Sequence, residues 1–230
     1  NKNKVLQLEQ TVAKQKERYT ALLVALLLVL LGALIYWSYR TKRMQLAFQH
    51  LAQTDALTGI SNRDHFNKNA EHALAEAVKK SEQIGMIMFD LDNFKSINDR
   101  FGHSVGDWVL RHVIEVCKPI CRKGDCIGRI GGEEFAILLH AIDLESATAM
   151  AERFREKIAA IDTSATGKVF VVTASFGVTT TKYSGYAFDA LLLQADEALY
   201  QSKNSGRDRV NVFNVKTSTP FYLPESAPAV

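Results

Sequence analysis

Cysteine, proline and net charge are all scarce in this chain, and each scarcity narrows the range of functions. Its 230 residues include three cysteines, Cys117, Cys121 and Cys126. An odd set cannot pair off fully into disulfides, and the spacing fits no common zinc site, so these read as reduced structural thiols. Of four prolines, Pro220, Pro224 and Pro228 crowd the C-terminal end. Residues 214–230 have no amphipathic period and read as a flexible tail. The formal charge is only +3, from 28 basic against 25 acidic residues. With no Lys/Arg-rich face carrying interleaved aromatics, nucleic acid is not expected as a partner. No internal repeat is visible. The sharpest local absence is of charge itself, since residues 20–39 contain no Asp, Glu, Lys or Arg.

That uncharged stretch predicts one transmembrane helix over 20–39. Twenty helical residues rise about 30 Å, the hydrocarbon thickness of a bilayer. Tyr36, Trp37 and Tyr39 gather at one end, as interfacial aromatics do. A buried core helix is the poorer reading, because the stretch is apolar all round. A signal peptide fits worse still, since polar residues precede the run and no small-residue cleavage pattern follows. Before it, residues 1–19 place Val5, Leu8 and Val12 at helical spacing, predicting a short extracytoplasmic helical stub. After it, Met44, Phe48 and Leu51 continue an apolar stripe, predicting a linker helix over 40–54. Lys14, Lys16 and Arg18 balance Arg40, Lys42 and Arg43, so flanking charge does not orient the span. The chain starts at Asn1 rather than Met, and we expect a preceding portion carrying a sensor.

From Asp55 the pattern becomes that of a compact α/β domain reaching residue 213. Periodicity predicts helices over 62–82, 106–118, 144–161 and 187–204. Strands are predicted over 84–90, 168–178 and 209–213, with a strand pair over 126–139. Pro119 ends the second of these helices. Helices alternating with strands, interrupted by one hairpin, fit an α+β ferredoxin-like fold: a central antiparallel sheet with helices packed on one face.

Acids cluster where two predicted strands end. The apolar run 84–89 empties into Asp90-Leu91-Asp92, where alternation points both aspartates to one face. Downstream, Gly131-Gly132-Glu133-Glu134 sets two flexible backbone units beside two carboxylates, as a tight turn presenting acids to a metal-bound phosphate requires. Mg²⁺ takes oxygen ligands and needs only one or two carboxylates when waters and substrate phosphates complete its shell. The pattern therefore points to nucleotide chemistry at a shared divalent cation.

Five ordered segments carry a specific resemblance: 55–63 (DALTGISNR), 89–99 (FDLDNFKSIND), 101–107 (FGHSVGD), 129–135 (RIGGEEF) and 195–207 (ADEALYQSKNSGR). Together they resemble the GGDEF-domain diguanylate cyclases, a family of nucleotidyl-cyclase-type fold, over 55–213. Glu133 stands where the family name has Asp, keeping the carboxylate. The resemblance implies an enzyme that condenses two GTP into cyclic di-GMP and two pyrophosphates between the half-sites of a homodimer. It implies Mg²⁺, with Mn²⁺ as a substitute, held by Asp90, the Leu91 carbonyl and Glu133. Either Glu133 or Glu134 would accept the proton, and the sequence leaves that choice open. Lys95, Lys203 and Arg207 would face the triphosphate, and Gly131 and Gly132 would let the backbone approach it. Asn98 and Asp107 would contact guanine, with His103 near the nucleotide, although Asp107 also suits a helix cap after Gly106. Arg122 and Asp125 form an RxxD motif that, with Arg153, would bind cyclic di-GMP as a product inhibitor. A catalytic domain that consumes GTP belongs in the cytoplasm, so we expect a single-pass inner-membrane protein with that domain inside. A catalytically silent receptor for GTP or cyclic di-GMP is the alternative, and intact Asp90, Lys95, Glu133 and Glu134 argue against it.

Overall fold

The computed structural model describes residues 2–51 and 53–214, with side chains except at 2–13, 45–51 and 184. Of the expected tail, residues 215–230 lie outside the described residues. The chain divides into two units, one up to Ala52 and one from Gln53 onward.

The first unit is one helix, α1 (Lys2–Leu51), so the segments expected as stub, span and linker run as one uninterrupted helix that ends at Leu51, short of the expected 54. The stretch Lys14–Met44 is long and apolar enough to cross a membrane. Its apolar side chains point outward all round: Leu22, Val29, Ile35 and Trp37 are each more than 60% exposed. Polar groups at the two ends are internally satisfied. Thr20 donates its hydroxyl to the Lys16 carbonyl at 3.1 Å, and Thr41 donates to that of Trp37 at 2.8 Å. The outer stripes at Val5, Leu8 and Val12 and at Phe48 and Leu51 concern side chains outside the described residues.

The second unit runs β1 (Ser61–Asn62), α2 (Arg63–Lys80), β2 (Ile84–Leu91), α3 (Phe94–Phe101), α4 (His103–Cys117), β3 (Cys126–Arg129), β4 (Glu134–His140), α5 (Leu144–Ala159), β5 (Ala174–Thr180), α6 (Thr181–Ser184), α7 (Phe188–Asn204) and β6 (Val210–Val212). Six strands form one sheet in the order β1-β3-β4-β2-β5-β6. The central pairings are antiparallel, as expected, and the two edge pairings, β1 with β3 and β5 with β6, are parallel.

Helices cover both faces of this sheet, which corrects the expectation of one covered face. Ile87, Phe89 and Leu91 pack in a core with Val109, Val113, Ala147 and Phe154 from α4 and α5. Ile84, Met86 and Met88 pack in a second core with Phe66 and Leu74 of α2 and Leu191 and Leu199 of α7. The reason is legible in β2 itself, which is buried at every position and apolar except at Asp90, as befits a strand with both faces covered.

Two boundaries also differ from expectation. The helix expected from 106 starts at His103 and is preceded by a separate helix, α3, because Gly102 adopts φ +89 and interrupts the chain between them. The strand expected from 168 begins only at Ala174. Before it, the Thr163 hydroxyl accepts from the Phe170 N–H at 3.1 Å and donates to the Phe170 carbonyl at 2.9 Å, diverting backbone groups that a ladder would use.

Close approach of α7 to β5 depends on Gly177. A Cβ there would collide with the Ala195 carbonyl and the Leu199 amide, both backbone atoms that cannot swing aside. Gly177→Ala is therefore expected to destabilise the domain by about 3 kcal/mol. A lower urea midpoint with an unchanged transition slope is the measurement that checks it.

Candidate active site

The site builds up around the C-terminal end of β2, with the β3–β4 hairpin on one side and the last turn of α7 over it. Pairing places Asp90 opposite Glu134, and the Leu91 N–H donates to the Glu133 carbonyl at 3.3 Å. The amides of Ile130 and Gly131 both donate to the Glu134 carbonyl, at 2.8 and 3.2 Å, closing the turn that carries Gly131, Gly132 and Glu133. A Cβ on Gly131 would sit 2.6 Å from Glu134 Oε2, so glycine leaves room for that carboxylate to fold back over the turn.

Asp90 is buried and pairs with Lys203 of α7, Nζ to Oδ2 at 2.9 Å. Burial pushes its carboxyl up to about 6. Lys203 pulls it down, while the neighbouring charges of Glu133 and Glu134 push it further up. Three acids thus share one end of the sheet, with Lys203 compensating one of them. Among the described residues no group of three His, Cys, Asp or Glu side chains is arranged to hold a metal by itself. A Mg²⁺ site needs no such group, and the donors present suit it: hard oxygen atoms from Asp90, the Leu91 carbonyl and Glu133, of which the desolvated Asp90 carboxylate gains from added positive charge.

Arg129 supplies a strut that the sequence reading left without a role. Its Nη2 and Nε donate to the Gly132 carbonyl at 2.7 and 3.1 Å, and its Nη1 donates to Asp55 Oδ1 at 3.0 Å. Asp55 also accepts from the Thr58 amide and hydroxyl at 2.9 and 2.6 Å. Burial alone would raise the Asp55 carboxyl, but the Thr58 and Arg129 bonds outweigh it and hold it below the usual range. The only sequence signal for this strut is that Asp55 and Arg129 open two of the motifs.

Asn98 on α3 lies against α4. A Cβ on Gly106 would collide with Asn98 Oδ1, so the glycine admits that side chain. Asp107 falls inside α4, whose N-cap is Gly102, so the capping reading for Asp107 is corrected. His103 is the first residue of the same helix and is exposed. Lys95, exposed, is the second residue of α3, and Arg207, also exposed, lies just past α7 in a left-handed turn with φ +62.

The remaining expected residues stand elsewhere. Arg122 and Arg153 are exposed, the former on the loop before β3 and the latter on α5. Asp125 is enclosed: its Oδ2 accepts from the Arg122 N–H at 2.8 Å and its Oδ1 from the His140 N–H at 3.2 Å. Its carboxylate closes the loop that carries Arg122. Asp92 also departs from the acid cluster. Instead of facing the hairpin, it is bonded to Thr173 and to Ser175 of β5. The three cysteines are free; Cys117 is buried, and burial pushes its thiol far up, as expected of a structural thiol.

Comparison with known proteins follows this geometry. Residues 52–209 match the profile of a family described as diguanylate cyclase, GGDEF domain. Diguanylate cyclase DgcP of Pseudomonas aeruginosa is 38% identical over 161 residues, which cover 70% of this chain and 24% of that protein. This chain thus spans about a quarter of that relative's length. The crystal structure of the GGDEF domain of DgcB from Caulobacter crescentus in complex with c-di-GMP is similar with a TM-score of 0.63 at 32% identity, covering 70% of this chain and 93% of that one. The active GGEEF domain of a diguanylate cyclase from Vibrio cholerae gives a TM-score of 0.61 at 29% identity, covering 66% and 97%.

Proposed function

This chain belongs to the GGDEF-domain family, and from that premise we propose that it is a diguanylate cyclase acting as a homodimer. The observation that carries the proposal is the meeting of Asp90, Glu133, Glu134 and Lys203 at one end of the sheet.

In the proposed reaction two chains bring their half-sites together, each holding one GTP. The 3′-oxygen of each nucleotide attacks the α-phosphorus of the other, forming a new P–O bond as the bond to the β-phosphate bridging oxygen breaks. Two such displacements close the cyclic product and release two pyrophosphates. Glu133 or Glu134 takes each hydroxyl proton. Mg²⁺, with Mn²⁺ as a substitute, would be held by Asp90, the Leu91 carbonyl and Glu133, and would supply charge neutralisation on the phosphates and acidify the hydroxyl. Lys95, Lys203 and Arg207 hold the triphosphate, and their positive charge is worth most as charge builds on the departing pyrophosphate. Gly131 and Gly132 allow the turn to approach the phosphates. Asn98 and Asp107 read guanine, with His103 alongside. Positioning two nucleotides for in-line attack removes the translational freedom that slows the reaction in solution.

Helix α1 serves as a single-pass anchor in the inner membrane: residues 1–19 outside, 20–39 spanning, 40–54 linking, and 55–213 in the cytoplasm as the catalytic domain. GTP, cyclic di-GMP and a second copy are the partners.

Incubating the purified chain with GTP and Mg²⁺ and resolving the nucleotides tests the reading. Cyclic di-GMP should appear, with a rate rising as the square of protein concentration when the chain is dilute. Recovery of unreacted GTP from a demonstrably dimeric sample would overturn it in favour of a receptor.

Product restraint is part of the proposal. Cyclic di-GMP binds at the exposed Arg122, on the loop that Asp125 closes, with Arg153 as a second donor fork. Arg122→Ala should raise the concentration of cyclic di-GMP needed for half-inhibition by about tenfold or more, the value of a lost charge-assisted contact. Initial rates measured against added product would show it.

A further inference from the structure

Asp92 is a buried carboxylate to which the proposed reaction gives no role. Its side chain receives three hydrogen bonds. Thr173 donates its hydroxyl to Oδ2 at 2.8 Å, Ser175 donates to Oδ1 at 2.6 Å, and the Asp208 N–H donates to Oδ2 at 3.0 Å. Its own N–H donates to the Thr173 carbonyl at 2.9 Å. Of these partners, Ser175 belongs to β5, the strand beside β2, and Thr173 immediately precedes it. The third belongs to the turn that connects α7, which bears Lys203, to β6.

That turn is strained. Gly206, Arg207 and Asp208 have φ of +113, +62 and +44, so two residues with side chains lie in the left-handed region in succession. Such conformations persist only where surrounding contacts determine them. Three contacts do so here: the Arg207 N–H donates to the Ser202 carbonyl at 3.0 Å, the Asp208 N–H to Asp92, and Arg155 of α5 pairs with Asp208 Oδ1 at 3.0 Å. Two residues before Asp92, within β2, stands Asp90, held by Lys203. One strand end therefore fixes both ends of the segment 203–208, Lys203 through Asp90 and Asp208 through Asp92.

We propose that Asp92 is a positioning residue: by capturing the Asp208 amide it holds the left-handed turn that sets where the Arg207 guanidinium meets the substrate's phosphates. This assignment rests on the nucleotide site described above and concerns the triphosphate end of the ligand only. Asp92 touches neither substrate nor metal, and acts through Arg207.

Binding of guanosine 5′-(α,β-methylene)triphosphate with Mg²⁺ to the purified full chain, by calorimetry, tests this without turnover. Asp92→Asn takes away the charge that strengthens the bond from the Asp208 N–H, and should weaken the analogue by about tenfold while leaving the weak binding of guanosine unchanged. Arg207→Ala should weaken it similarly, and the double variant should bind no worse than Arg207→Ala alone, because the two act on one contact. If Asp92→Asn does not fold, Arg155→Gln, which loosens the same turn from the surface, should weaken the analogue about threefold, again with no further effect beside Arg207→Ala. Analogue affinity unchanged in Asp92→Asn, an effect that multiplies with that of Arg207→Ala, or a wild-type chain that does not bind the analogue would overturn the assignment. A chain that binds the analogue as described yet makes no cyclic di-GMP would remove the cyclase reading and leave the Asp92 assignment standing.

Discussion

Asp90→Asn is expected to lower cyclic di-GMP synthesis by on the order of 10³-fold or more while leaving the domain folded, and Glu133→Gln to act in the same direction. The loss follows from charge. Two hard carboxylate donors are proposed for the cation, and an amide supplies neither the charge nor the affinity that Mg²⁺ draws from a carboxylate. Folding responds in the opposite sense. The Asp90 carboxyl is pushed up to about 6 from an ordinary value of 3.8, mainly by burial, so the metal-free fold favours the neutral side chain. The folded chain binds this proton more tightly than the unfolded chain does. Its contribution to stability is therefore fully present below about pH 4, and is lost as pH rises through about 6. By pH 7 the charged form costs up to about 3 kcal/mol in the absence of metal. Asparagine escapes that cost. Urea midpoints of metal-free samples at pH 7 should place Asp90→Asn at or above the wild type, while its turnover is gone. A variant that lost activity only in proportion to unfolded material would refute the separation.

Asp107→Asn is expected to lower kcat/KM for GTP by about 10³-fold while leaving the already low value for ATP near where it was. A carboxylate at 107 can accept from both N1–H and the exocyclic amine of guanine, whereas an amide turns one acceptor into a donor and meets a like group. Adenine offers no matching pair of donors on that edge, so it never gained from the carboxylate. The wrong group in a polar site leaves partners unpaired, which is where large discrimination originates. Two backbone features bring together the residues of this proposed reader from separate helices. Gly102, at φ +89, lets α4 start immediately after α3, and Gly106 gives Asn98 space beside it. Steady-state kinetics with both nucleotides decide the matter. Equal losses for GTP and ATP would mean that Asp107 does not read the base.

Sequence exposed some of these arrangements and concealed others, for identifiable reasons. The run 84–91 showed a buried strand, and its acids at 90 and beyond marked the strand's end; Gly131 and Gly132 beside two glutamates showed a tight turn. Those are local signals. The helix expected from 106 left out α3 and the first turn of α4, because the positive φ at Gly102 that separates the two short helices has no signature in an apolar pattern. Residues 168–173 are rich in the β-branched and aromatic residues that strands favour, yet a single hydroxyl, that of Thr163, takes both hydrogen-bonding groups of Phe170. Asp92 obeys the alternation that aligned it with Asp90, but which neighbouring strand its oxygens meet is a matter of lateral position in a twisted sheet. The contacts of Arg129 with Asp55 and of Arg155 with Asp208 span 74 and 53 residues, and no local pattern encodes such pairings.

Strand β2 is sealed by helices above and below and hydrogen-bonded along both edges, so the acid at its tip is bolted to the packed centre of the domain. In the homodimer proposed above, a half-site built on such an anvil has little slack to be tuned by reshaping. Control of output would then come from how often two finished halves encounter one another, and the tempo of collision would be the quantity a signal adjusts.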